Sequence, residues 1–193
     1  MGKNRLEAFS DGVIAIVITL LVLEIRVPEV KNGLELRAAL VHLLPKLAAY
    51  VISFLVLAVW WMSHHQLMEQ VRTVDRGLLW LNNLFLLSLA FIPFPTALMG
   101  EYPAQPDGAV IYGLVCTLAG LSFFAMRTYA GRKPTMLVHQ DAAAEIQSLR
   151  ARSLLSPVLY GSAAVLALWL PAGSMAIFAG IPVYFALARR RGT

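Results

Sequence analysis

Arg5-Leu-Glu-Ala-Phe9-Ser10-Asp11-Gly12-Val-Ile-Ala-Ile16-Val-Ile-Thr19-Leu20-Leu-Val-Leu23-Glu24 carries no charge between Asp11 and Glu24. A bilayer-crossing helix needs about 20 mostly apolar residues. A full crossing here therefore includes some of the bracketing ionisable groups. Each costs roughly 2.5–3.5 kcal/mol at a helix centre, so such groups face protein or water. This segment is read as a membrane span with more than lipid to contact.

Working outward, residues 47–68, 77–100 and 108–126 are three further uncharged runs of spanning length, apart from possible histidine protonation. The longest uncharged run, 153–188, exceeds one helix, and Pro171-Ala172-Gly173-Ser174 in its middle is a turn-forming cluster. It is predicted to be two short helices, 153–170 and 174–188, joined by a tight hairpin. With a first span over about 6–27, the expectation is one all-α, polytopic domain of six transmembrane helices covering residues 1–193. No internal repeat and no cleavable leader are expected.

Composition agrees. Only 14% of the 193 residues are charged and 59% are hydrophobic, against about 25% charged in soluble domains. Disordered chains are poor in apolar residues, so disorder is excluded. The single cysteine, Cys116, excludes a disulfide framework and a cysteine zinc site. With the N-terminus inside, twelve of the 16 basic residues fall on the inner side: Lys3, Arg5, Arg72, Arg76, Arg127, Arg132, Lys133, Arg150, Arg152 and Arg189–Arg191. Arg26, Lys31, Arg37 and Lys46 are the four outside. Cytoplasmic loops collect Lys and Arg, which puts both termini in the cytoplasm. The net charge of +5 thus reflects membrane orientation, and no nucleic-acid partner is expected. The connection 128–152 reads as a basic cytoplasmic linker with an exposed surface helix, anionic-lipid or effector binding being its second possible use.

At 100° per residue, Ile16, Leu20 and Leu23 fall within about 60° of one another. Gly12 and Thr19 flank that stripe, and Arg5 and Phe9 extend it toward the cytoplasm. Asp11 points roughly 140° away. Taken alone, the stripe suits ordinary packing or lipid contact better than a narrow apolar pathway. Arg5 and Asp11 likewise suit an anchor and a helix-start acid. Trp60-Trp61-Met62-Ser63-His64-His65 lies at the inner end of the second span, where tryptophans belong to the interfacial belt. Adjacent histidines diverge by about 100° on a helix and make a poor metal pair. His42 and His139 are not companions for haem ligation. Neither a metal nor a cofactor is expected. No Ser/His or paired-Asp constellation supports an enzyme.

Taken together, these pieces resemble the prokaryotic branch of the transmembrane protein 175 family. The resemblance rests on Arg5-x-x-x-Phe9-Ser10-Asp11, on Trp61-x-x-His64-His65, and on Leu81-Asn82-Asn83 followed by Pro93-Phe94-x-Thr96. It implies a homotetrameric, potassium-permeable channel, multi-pass in a bacterial or archaeal cell membrane, with its pore lined by the first helix. It implies that Ile16, Leu20 and Leu23 form the constrictions in place of a backbone-carbonyl filter, and that Thr19 bears on potassium preference. On this reading Ser10 and Asp11 bond to groups such as Trp61, His64, His65 and Asn83 and hold the first helix in place. K+ would be the permeating ion, with copies of the chain and the lipid bilayer as the other partners. The competing reading is a proton- or cation-coupled secondary transporter, with Asp11 and the histidines as relay groups. Six spans without an inverted repeat are few for alternating access.

Overall fold

A computed structural model describes residues 2–189, apart from Lys31 and Gln140. Lys31, Arg190 and Arg191 of the charge map lie outside the described residues. The described chain is helical, with one isolated antiparallel bridge, Val71 to Leu137. In order the helices are α1 (Lys3–Leu23), α2 (Gly33–His42), α3 (Leu44–Gln70), α4 (Arg76–Phe91), α5 (Pro93–Glu101), α6 (Pro106–Gly131), α7 (Asp141–Ser148), α8 (Arg150–Ala167) and α9 (Pro171–Arg189). A single 3-10 turn, Pro134–Met136, lies between α6 and α7.

Among the described residues four helical rods are long and apolar enough to cross a membrane: α1, α3, α4 with α5, and α6. The third is one rod of 26 residues, Arg76–Glu101, broken at Ile92 by Pro93 and Pro95. Each proline removes an N–H from the helix ladder. The Leu89 carbonyl instead accepts from Ile92 N–H at 3.0 Å, a tighter turn. α8 and α9 are shorter, at 18 and 19 residues.

Three boundaries depart from the sequence expectation. The sequence predicts a first span over about 6–27, but α1 stops at Leu23. Pro28 drives the preceding residue out of helical conformation, and Glu24 and Arg26 favour the membrane surface. The sequence predicts the hairpin at Pro171–Ser174, yet the turn is Leu168–Leu170 and Pro171 opens α9. Proline is pre-set for the first helical turn, where its missing N–H has no partner to lose. The linker 128–152 is not simply an exposed surface helix. Met136, Leu137, Ala142 and Ile146 are buried, and Gln70 donates to Glu145 at 3.0 Å. The backbone at Gln70–Arg72 also pairs with Met136 and Val138.

α6 is the central helix. It packs on α8 through glycines two turns apart, where a Cβ on Gly113 would lie 2.6 Å from Ala164 Cβ and one on Gly120 2.9 Å from Pro157 Cδ. Small residues let helices approach closely where no hydrophobic effect drives them together. The α3–α4 turn is clipped to the end of α6 by Asp75. Its Oδ1 caps α4 by accepting from Leu78 N–H at 2.9 Å. Its Oδ2 accepts from Lys133 Nζ at 2.7 Å and from Tyr129 OH at 2.8 Å. These donors, Lys133 first, hold the Asp75 carboxyl down to about 2. A depressed carboxyl stabilises the fold above its unfolded pKa and loses that effect only as pH falls through the folded value. The clip therefore stays charged across the physiological range.

Candidate functional site

α1 divides into two faces. Leu6, Ser10, Ile14, Val17 and Leu21 recur every three or four residues and are buried, forming the ridge that packs on α3, α4 and α5. Phe9, Ile16, Leu20 and Leu23 lie on the other side of the helix, 51%, 60%, 42% and 68% exposed. Gly12 and Thr19 are exposed with them. The sequence stripe is thus turned away from the chain's own core. Only 28% of α1's apolar window is buried, as in α3, against 50% for α6.

The Thr19 hydroxyl donates to the Ile16 carbonyl at 2.8 Å. Its single hydrogen is used inside the helix, and the oxygen lone pairs remain as acceptors facing outward. Arg5 is exposed and makes no ion pair among the described residues.

Two polar contacts fix the rotation of α1. Trp61 Nε1–H donates to Asp11 Oδ1 at 2.9 Å, joining α1 to α3. On the buried ridge, Asn82 Nδ2 donates to Ser10 Oγ at 3.0 Å, and Asn82 Oδ1 pairs with His64 Nε2 at 2.8 Å. The amide oxygen only accepts, so His64 carries its proton on Nε2. The imidazole lies parallel to the Phe85 ring, 5.9 Å between centroids. One asparagine thereby connects α1, α3 and α4 inside the bundle.

The expectation of Asn83 in this network is corrected to Asn82. Asn82 shares the buried stripe of α4 with Leu78, Phe85 and Leu89, whereas Asn83 is exposed and outside the network. The helical periodicity of those apolar residues was the available signal. His65 also lies outside it, exposed, stacked on Trp61 at 6.0 Å and 3.5 Å from Glu69. Thr96, part of the Pro93-Phe94-x-Thr96 pattern, is buried, its hydroxyl 2.7 Å from Ser53 Oγ. Ser53 in turn donates to Tyr112 OH at 3.3 Å. A second polar cluster therefore ties α3, α5 and α6 together.

Comparison with known proteins gives this geometry a context. Residues 5–93, from α1 through α4, match the family described as endosomal/lysosomal potassium channel TMEM175. A potassium channel of Streptomyces collinus is 40% identical over 162 residues, covering 82% of this chain and 79% of that protein. The crystal structure of a lysosomal potassium-selective channel TMEM175 homolog from Chamaesiphon minutus superposes with a TM-score of 0.86 at 32% identity. That match covers 96% of this chain and 97% of the other. The endosomal/lysosomal proton channel TMEM175 of Gallus gallus is 27% identical over 162 residues, and the match spans only 32% of its length. The chain belongs to the TMEM175 family of ion channels.

Proposed function

We infer that this protein is a potassium-permeable channel of the cell membrane, assembled from four copies around a pore lined by α1. The observation that carries the reading is the division of α1. Its polar contacts through Ser10 and Asp11 point into the subunit, while Ile16, Leu20, Leu23 and Thr19 face outward. One such stripe cannot enclose a passage, so a closed pore needs copies around an axis. The resemblance stated above supplies four. The inner placement of both termini and six crossings, with α8 and α9 as the last pair, accord with the charge distribution. Potassium is preferred to protons as the permeant ion because the bacterial relative at 40% identity is named a potassium channel. The relative named a proton channel is the more distant one, at 27% identity.

In this arrangement Ile16, Leu20 and Leu23 form successive apolar rings. Such rings gate by dewetting: narrow, they exclude water and ions, and wider, they admit both. The outward lone pairs of Thr19 replace part of an ion's hydration between the first two rings. Ser10, Asp11, Trp61, His64 and Asn82 set the rotation of α1 and hence the ring side chains, without meeting the ion.

The test is electrical recording of purified protein in planar bilayers under opposed potassium and sodium gradients. Wild type should conduct with a reversal potential on the potassium side. Ile16→Asn puts an amide where the first ring dewets, so conductance should rise and the reversal potential should move toward zero. Unchanged conductance and selectivity in a normally assembled Ile16→Asn protein would remove α1 from the pore.

A further inference from the structure

At the end of the bundle that bears the α6–α8 connection, a cavity of about 290 Å³ opens between α3, α6, α8 and α9. No residue lining it belongs to α1, so it is separate from the candidate pore. Its size is near the lower limit of small-molecule pockets, roughly 300–1,000 Å³.

Two arginines line this cavity. Arg127, near the end of α6, is only 7% exposed. Its Nη1 donates to Ser153 Oγ at 2.6 Å and to the Leu149 carbonyl at 3.4 Å. Its Nε–H is buried without an acceptor. The guanidinium lies over Phe123, 5.0 Å from the ring centroid. Arg152, in the first turn of α8, lies over Phe185 at 5.8 Å. Among the described residues neither arginine has a carboxylate within ion-pair distance. Two further polar side chains on the same wall, Ser156 and Gln66, make no hydrogen bond among the described residues.

A buried cation without a counter-charge costs several kcal/mol, and a second cation beside it raises that cost. An anion held between the two guanidinium groups removes both penalties, and the planar forks suit an oxyanion. The donors left for a ligand are on Arg152, Ser156 and Gln66, with the Arg127 charge beside them. Their number suits an oxyanion with two charged oxygens, which a lipid phosphodiester presents. Besides Ser63 and Tyr160, much of the remaining lining is apolar, including Val56, Val59, Ile181 and Pro182. A free phosphate ion gains nothing from that surface, but a hydrocarbon tail does.

We propose that this cavity is a binding site for an anionic phospholipid, its phosphate between Arg127 and Arg152 and an acyl chain along the α3–α9 wall. The site uses the membrane setting of the chain but not the assignment of the pore, and its readout is binding, not current.

The experiment is a titration of the purified full-length chain in uncharged detergent with dihexanoyl phosphatidylglycerol. Bound lipid is counted by native mass spectrometry, and thermal stability is followed in parallel. Dihexanoyl phosphatidylcholine, inorganic phosphate and hexanoate are the comparison ligands. Phosphatidylglycerol should bind and raise the melting temperature where the other three do not. Arg152→Gln, a half-buried position, should weaken binding at least about tenfold, the scale of a lost charge-assisted contact. Ala186→Trp, at the rim of the cavity, should do the same by occupying the tail's path, and it leaves both charges in place. Equal binding of phosphatidylcholine overturns the headgroup assignment. Saturation by phosphate or hexanoate at matching concentration makes the site one for free anions or fatty acids. Undiminished phosphatidylglycerol binding in both variants removes the lipid from this cavity.

Discussion

Asn82 shows how much positioning one amide can supply. It satisfies Ser10 on α1 and His64 on α3 at once, from within the buried stripe of α4. Asn82→Ala leaves both partners without a bond in a site that water does not reach. An unsatisfied buried polar group costs about 1–3 kcal/mol, and a chain of this size loses roughly 2–4 °C of melting temperature per kcal/mol. Asn83→Ala touches nothing buried and should stay within about 0.5 kcal/mol. Thermal unfolding of the two variants, followed by size-exclusion of the assembled protein, separates them. Equal losses would mean that the amide network does not hold α1. The sequence pattern carried both asparagines, and only the period of Leu78, Phe85 and Leu89 distinguishes the one that faces the core. The Asp11–Trp61 bond was legible through the family resemblance, since Asp11 alone suits a helix-start acid as well.

At the level of helices, small residues decide how close two elements come. A methyl added at Gly113 meets Ala164 Cβ at 2.6 Å and the Tyr160 carbonyl oxygen at 2.9 Å, so α6 and α8 must separate. A methyl added at Gly161 finds only Thr117, at 3.5 Å, an ordinary contact. The same substitution should therefore act in opposite directions. Gly113→Ala should lower stability by about 1–3 kcal/mol through overpacking. Gly161→Ala should be neutral or gain up to about 1 kcal/mol of helix propensity. Denaturation of each in detergent checks the pair, and a loss at Gly161 as large as that at Gly113 would contradict the close approach. Span-length apolar runs were plain in the sequence because a bilayer imposes a length. α2 was not, because it has no buried residue and no spanning length to announce it. Its signal was local: Asn32 Oδ1 accepts from the N–H groups of Leu34 and Glu35, while Asn32 Nδ2 donates to Glu35 Oε1 at 2.7 Å. Asn32 is thus an ordinary N-cap, steadied by a side-chain bond to Glu35.

For the whole molecule the charge map predicts that α8 and α9 cross the bilayer as the last pair. Their lengths of 18 and 19 residues give about 27 and 28 Å at 1.5 Å per residue, close to a hydrocarbon core of about 30 Å. α8 packs along α6, a rod long enough to cross. The turn between α8 and α9 exposes Trp169 at 75%, as suits an aromatic residue at the interface. α9 is apolar over Pro171–Leu187 and packs on α8 and α3. Cys116 is buried, so Cys116→Ala provides a background in which single cysteines report position. In intact cells a membrane-impermeant maleimide should label Trp169→Cys and Ala104→Cys, since both turns are read as external. It should reach His139→Cys only after the cells are opened. Labelling of Ala104→Cys but not of Trp169→Cys in intact cells would leave the last two helices as a hairpin inserted from the inner side. The reverse result at His139 would invert the orientation drawn from the basic residues. Either outcome leaves the division of α1 into an anchored and an outward face intact, because that division rests on contacts within one subunit.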